Sequence, residues 1–277
     1  MAGHLLAAGH PVYVFNRSRS KAEKLLAQGG SWCDAPADVA RRATFVITMV
    51  GTPDDVRSLY LGPGGLIAQA QSGATLIDMT TSDPELAAEL AQAGAARQIE
   101  VLDAPVSGGD IGARNATLSI MVGGSAQGFE RALPLFQRLG KTIILQGPAG
   151  SGQYTKLCNQ VAIASTMLSV CESMALAKAS GLDPTRVLES ITTGAAGSWA
   201  LANLMPRALR GDFEPGFSVQ HLLKDLAIAL ACAERLGLEL PGLSLARRLY
   251  EELRQQGAGS QGTQVLLRRY LAQGAAS

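Results

Sequence analysis

One stretch, Gly150-Ser151-Gly152-Gln153-Tyr154-Thr155-Lys156-Leu157-Cys158-Asn159-Gln160, concentrates residue types suited to proton chemistry. Lys156, Asn159 and Gln160 stand at i, i+3 and i+4, so a helix puts them on one face. Three such groups at the start of a buried helix cost free energy unless paired. Burial disfavours the charged ammonium, which suits a lysine to proton transfer near neutral pH. The alternative without chemistry is a solvated polar face at the start of the helix. A second group is Asp103-Ala104-Pro105-Val106-Ser107-Gly108-Gly109, directly after a strand pattern. Gly108 and Gly109 carry no Cβ, so their backbone N–H groups are open to a carboxylate. A plain tight turn has the same sequence.

Two further groups are weaker. Asn16-Arg17-Ser18 follows the apolar run Val12 to Phe15. In dinucleotide-binding domains an acidic residue here meets the ribose 2′-hydroxyl of NAD, whereas Arg and small polar groups receive the 2′-phosphate of NADP. An exposed arginine in a turn is the alternative. Phe217 opens a stretch that reaches Lys224-Asp225, which by itself reads as a solvated charge pair. Cys158, with no histidine near it in sequence, reads as a packed helical thiol rather than a nucleophile.

The elements that must position these groups are legible in the pattern. Short β-branched runs at 12–15, 45–49, 75–78, 100–103, 118–122 and 142–145 alternate with helical stretches such as Ser20 to Gln28 and Pro84 to Arg97. That alternation predicts a parallel α/β sheet. The series ends at Gly147-Pro148-Ala149-Gly150-Ser151-Gly152. From Gln153 to Ser180 neither proline nor glycine occurs, which predicts one helix of about 28 residues, about 42 Å long and buried on most sides. Gly181 ends it, and Asp183-Pro184 begins the next helix with a cap and a first-turn proline. Helices near Val219 to Leu236 and Pro241 to Gln255 follow. The expected division is 1–149, an α/β Rossmann-like nucleotide domain, and 150–277, an all-α substrate and dimerisation domain.

Composition sets outer bounds. The 277 residues are 47% apolar and carry a net charge of +1, so no global field attracts nucleic acid or an anionic membrane. Cys33, Cys158, Cys171 and Cys232 form no C-x-x-C, which reads as thiols buried or half-buried in a reducing compartment. His4, His10 and His221 show no metal-ligand spacing. No uninterrupted apolar run reaches a membrane span. No secretory signal is recognisable, and a cytoplasmic location is the expectation.

Taken together and in this order, the four groups resemble the β-hydroxyacid dehydrogenase family, which includes 3-hydroxyisobutyrate dehydrogenase and tartronate semialdehyde reductase. The resemblance covers essentially the whole chain. Its most specific parts are D-A-P-V-S-G-G and G-x-G-x-x-x-K-x-x-N. It implies hydride transfer between NADP(H), or NAD(H), and a short β-hydroxy acid or its semialdehyde, with Lys156 as general acid and base. It implies that Ser107, Gly108 and Gly109 hold the substrate carboxylate, with Asn159 and Gln160 on the substrate side. The cofactor positions implied are Asn16, Arg17, Ser18, Met49, Val50, Thr81, Phe217, Lys224 and Asp225. A homodimer or homotetramer is the implied assembly. A related reductase acting on imines is a competing reading, which Lys156 opposes because such relatives usually replace the lysine. The family pattern opens with a strand and a G-x-G-x-M-G turn ahead of the helix that Ala2 to Gly9 resembles, and this sequence starts inside that helix. The expectation is therefore a sheet without its central strand and without the turn that cradles the pyrophosphate. A catalytically silent dimeric homologue, or a binding module, is the alternative this implies.

Overall fold

A computed structural model describes residues 1–273. The chain divides into two compact units, Met1–Lys156 and Leu157–Ser277. The first holds the strands. They are β1 (Tyr13–Val14), β2 (Ser31–Trp32), β3 (Phe45–Thr48), β4 (Thr75–Asp78), β5 (Glu100–Asp103), β6 (Val106–Ser107), β7 (Leu118–Gly123) and β8 (Gly140–Gly147). Between them run helices α1 (Ala2–Ala7), α2 (Glu23–Ala27), α3 (Pro36–Arg42), α4 (Pro53–Leu61), α5 (Leu66–Gln69), α6 (Pro84–Ala95), α7 (Gly109–Asn115) and α8 (Ala126–Phe136). All four residues of β4 are buried, because β3 and β5 flank it in parallel. Leu76 packs into one buried cluster and Ile77 into another, as a strand covered on both faces requires.

The sheet departs from the all-parallel expectation. β7 runs antiparallel to β5 and β6 and parallel to β8. The reason is connection length, since the path from Ser107 to Leu118 is shorter than the dozen or more residues of a parallel crossover. β1 is also shorter than the expected run of 12–15. It pairs only with the two-residue β2, in a sheet separate from the one that β3 borders. The helix expected over 20–28 splits into a 3₁₀ turn, Arg19–Ala22, and α2.

The second unit is helical. Its helices are the main part of α9 (Ser151–Ala179), then α10 (Pro184–Thr192), α11 (Trp199–Asn203), α12 (Met205–Leu209), α13 (Val219–Arg235), α14 (Pro241–Leu253) and α15 (Leu266–Gln273). α9 ends as glycine dictates: Gly181 has φ +77, and Leu182 N–H returns to Ala177 C=O at 3.0 Å. Asp183 then accepts from Thr185 N–H at 2.9 Å to start α10. Met167, Cys171 and Met174 of α9 share a core with Leu222 and Leu226 of α13 and Tyr250 of α14. One face of α9 departs from the expected burial: Cys158, Ala162, Ser165, Ser169, Glu172 and Leu176 form an exposed stripe. Cys158 is thus exposed rather than packed. By length and overall composition α9 is also apolar enough to cross a bilayer, although no uninterrupted apolar run suggested it. Its buried side forms the core of this unit.

Candidate active site

Lys156 lies in the second turn of α9 and is 7% exposed. The start of this helix is tied to the strand ends by two buried side chains. Asp103, the last residue of β5, accepts from Gly150 N–H at 2.7 Å on one carboxylate oxygen and from Gln153 N–H at 2.8 Å on the other. A carboxylate at a helix N-terminus also meets the positive end of the helix dipole. Gln153 donates through Nε2 to Thr80 C=O and accepts from Ser82 N–H, both at 2.8 Å. These ties lie within the first compact unit, which runs to Lys156.

A second buried network lies at the ends of β3 and β4. Thr48 Oγ1 donates to Asp78 Oδ1 at 2.8 Å, and Thr80 N–H reaches the same oxygen at 3.2 Å. Thr48 has spent its only hydroxyl proton, so Tyr60 donates to Thr48 across the 2.8 Å contact. Burial pushes the Asp78 carboxyl up to about 6, against the hydrogen bonds from Thr80 and Thr48. Burial likewise raises Asp103, opposed by the backbone N–H groups of Gly150 and Gln153. Asp103 heads the second group and Gln153 lies within the first, but neither of them nor Asp78 was assigned a role from sequence. The usable signal was an aspartate closing each of two apolar strands.

The expected carboxylate turn is formed as glycine requires. Gly108 has φ +127 and Gly109 φ +62, conformations that side chains with a Cβ rarely adopt. Both are exposed, Ser107 is half-buried, and α7 begins at Gly109. The first N–H groups of a helix have no partner within it.

The expected cofactor positions in this unit sit at strand ends. Asn16 Oδ1 accepts from Ser18 N–H at 3.1 Å, which fixes the turn after β1. Arg17 is 77% exposed and makes a 3.4 Å contact with Asp55. After β3, Met49 is half exposed, and Val50 N–H donates to Thr80 Oγ1 at 3.0 Å, joining the loops after β3 and β4. Thr81 is half-buried beside it. An exposed guanidinium and two linked loops at the carboxyl ends of strands suit a dinucleotide.

In the second unit Asn159, Gln160, Lys224 and Asp225 form one chain. Asn159 Nδ2 donates to Gln160 Oε1 at 2.7 Å, Gln160 Nε2 donates to Asp225 Oδ2 at 2.6 Å, and Lys224 Nζ lies 2.9 Å from Asp225 Oδ1. Gln160 and Asp225 are each 1% exposed. The carboxylate, an acceptor only, orients the Gln160 amide and through it the Asn159 amide. Lys224 and Asp225 are therefore a partly desolvated pair rather than the solvated pair that the sequence alone allowed. Phe217 packs against the helical core, and its C=O accepts from Thr263 N–H at 3.2 Å.

A Rossmann-like unit that ends on a buried lysine, followed by a helical unit, defines a class, the nicotinamide-dependent oxidoreductases. Two family models match the chain: the NAD binding domain of 6-phosphogluconate dehydrogenase over residues 1–147, and the NAD-binding region of NADP-dependent 3-hydroxyisobutyrate dehydrogenase over residues 150–270. An uncharacterized oxidoreductase of Bacillus subtilis (strain 168) is 54% identical over 271 residues, covering 98% of this chain and 94% of the relative. A probable 3-hydroxyisobutyrate dehydrogenase-like protein of Arabidopsis thaliana, described as mitochondrial, is 47% identical over 268 residues, covering 96% and 80%. Among solved structures, the 3-hydroxyisobutyrate dehydrogenase of Mycobacterium tuberculosis with L-serine superposes with TM-score 0.88 at 30% identity, covering 97% of this chain and 93% of that one. The chain belongs to the β-hydroxyacid dehydrogenase family and is an NAD(P)-dependent dehydrogenase. These matches do not favour the silent-scaffold alternative.

Proposed function

We propose that the protein interconverts a short β-hydroxy acid and its semialdehyde with NADP(H), and that Lys156 moves the proton. The observation that carries this reading is the burial of Lys156 on a helix start pinned to Asp103, the strand end that leads into Ser107-Gly108-Gly109. The bound nicotinamide supplies or takes the hydride. Lys156 gives a proton to the carbonyl oxygen in reduction and takes it from the hydroxyl in oxidation, a role that typically contributes about 10²–10⁴-fold. The N–H groups at Ser107 to Gly109 hold the substrate carboxylate, and Asn159 orients the reacting oxygen. Exposed Arg17, with no acidic residue among Asn16-Arg17-Ser18, supports NADP over NAD. The exposed stripe on α9 supports a homodimer built on that helix. The test is a panel of short semialdehydes and β-hydroxy acids assayed at 340 nm with NADPH and with NADH. Turnover of at least one carboxylate-bearing member, and none of the matching alcohols without a carboxylate, is the expected result. Equal turnover of both sets would remove the Ser107-Gly108-Gly109 turn from substrate recognition.

A further inference from the structure

Asp103 stands where three parts of the first unit meet. It ends β5, it precedes the turn at Ser107-Gly108-Gly109 in the chain, and its carboxylate receives the first N–H groups of α9. We propose that Asp103 is a positioning residue for Lys156, holding the start of α9 in register with the substrate-carboxylate turn. The inference rests on Lys156 being the proton-transfer group.

The seat is built for an aspartate. Both oxygens are used, one on Gly150 N–H and one on Gln153 N–H. Glycines clear the space around it: a Cβ on Gly123 would stand 2.4 Å from one Asp103 oxygen, and a Cβ on Gly152 would stand 2.8 Å from the other and 2.3 Å from Met121 C=O. The backbone of α9 thus approaches the strand ends as closely as glycine permits. Gln153 adds a second tie, from the same turn to Thr80 and Ser82 on the loop after β4.

The geometry transmits directly to the lysine. Gly152 and Gln153 precede Lys156 by four and three residues, so all three lie on one face within about 6 Å of helix axis. A shift of the first turn is therefore a shift of the ammonium. Misplacing a reacting group by about 1 Å can cost about 10²-fold in rate. Asn at 103 keeps the shape and one acceptor, but it turns an N–H donor toward a backbone N–H. One of the two bonds is lost, and the first turn is free to move away from β5.

The experiment is Asp103→Asn in the full chain, read in two ways. Steady-state kinetics with the best substrate and NADPH should show kcat down by about 10–100-fold, with KM for the hydroxy acid and Kd for NADPH within about threefold. Native-state amide exchange followed by mass spectrometry should show peptides covering 150–156 exchanging at least about tenfold faster, with 118–123 unchanged. Asp103→Ser adds no bulk to the seat and keeps one short acceptor, and it should give the same pair of changes if the Asn variant does not fold. Faster exchange with unchanged kcat would overturn the positioning role. Unchanged exchange would overturn the anchor itself. KM rising in step with a falling kcat would also overturn the proposal. The exchange arm does not depend on turnover, so a wild-type protein inactive on every substrate would sink the proposed function and leave the anchor separately judged.

Discussion

Asp78 offers a test in which the structure sets the magnitude. Its carboxyl is fully buried at the end of β4, and burial raises it from its ordinary 3.8 to about 6. Ionising it in the folded chain then costs about 3 kcal/mol more than in the unfolded chain, at 1.36 kcal/mol per tenfold change in proton affinity. The folded state holds this proton more tightly, so the group favours folding fully below pH 3.8, and that contribution is lost as pH rises through about 6. Asn at this position keeps an oxygen for Thr48 and Thr80 and carries no charge at any pH. Asp78, Ser82 and Asp103 line a small cavity of about 10 Å³, where Ser82 Oγ lacks a partner among the described residues. Whatever the Asn amide contributes does not vary with pH. The stability difference, Asp78→Asn minus wild type, should therefore rise by about 2.4 kcal/mol between about pH 4 and about pH 8. Urea denaturation of both proteins at the two pH values measures it. A difference constant to within about 1 kcal/mol would show that Asp78 is not the buried, proton-holding carboxyl described here.

The remaining predictions concern the site. Lys156→Ala should lower turnover by about two decades or more while substrate binding changes less; near-normal turnover would remove Lys156 from the mechanism. Arg17→Ala should weaken NADPH more than NADH in fluorescence titrations, because its guanidinium is exposed beside the turn fixed by Asn16; equal losses would count against NADP preference. Gln160→Leu takes a hydrogen bond from buried Asp225 and the acceptor from Asn159. It should cost about 1–3 kcal/mol of stability, with an unchanged unfolding midpoint contradicting the chain of contacts from Asn159 to Asp225.

What the sequence disclosed, and what it hid, follows from the range of the interactions. The extent of α9 was legible because its limits are local: glycines before Ser151, and a glycine with φ +77 at position 181. The reversal of β7 was not legible from apolar runs, since strand direction depends on how far the chain travels between strands, and alternation of apolar residues is the same either way. The polar ties were hidden for a related reason. Gln153 meets Ser82 and Thr80 across 71 and 73 residues, and Asp103 meets Gly150 across 47. No periodicity within one segment encodes a partner that distant.

The two glutamines of α9 make the point about function. The i, i+4 spacing put Gln160 on the face of Lys156 and the family resemblance implied the substrate side for it, while Gln153, at i−3, was assigned no role. In the fold both are buried, and both amide ends of each are used, Gln153 on the loop after β4 and Gln160 between Asn159 and Asp225. A buried amide with donor and acceptor both satisfied has little left to offer a ligand and much to contribute to the orientation of its neighbours. The same holds for Asp103, whose two oxygens each hold a backbone N–H. On this argument the polar residues that spacing selects divide into those that meet the substrate and those that aim them, and only the hydrogen-bond partners tell the two apart. Under the proposed function, Lys156 and Asn159 are assigned to the first kind. Gln153, Gln160, Asp103 and Asp225 belong to the second, so substitutions among them should change turnover and stability before they change which substrate is accepted.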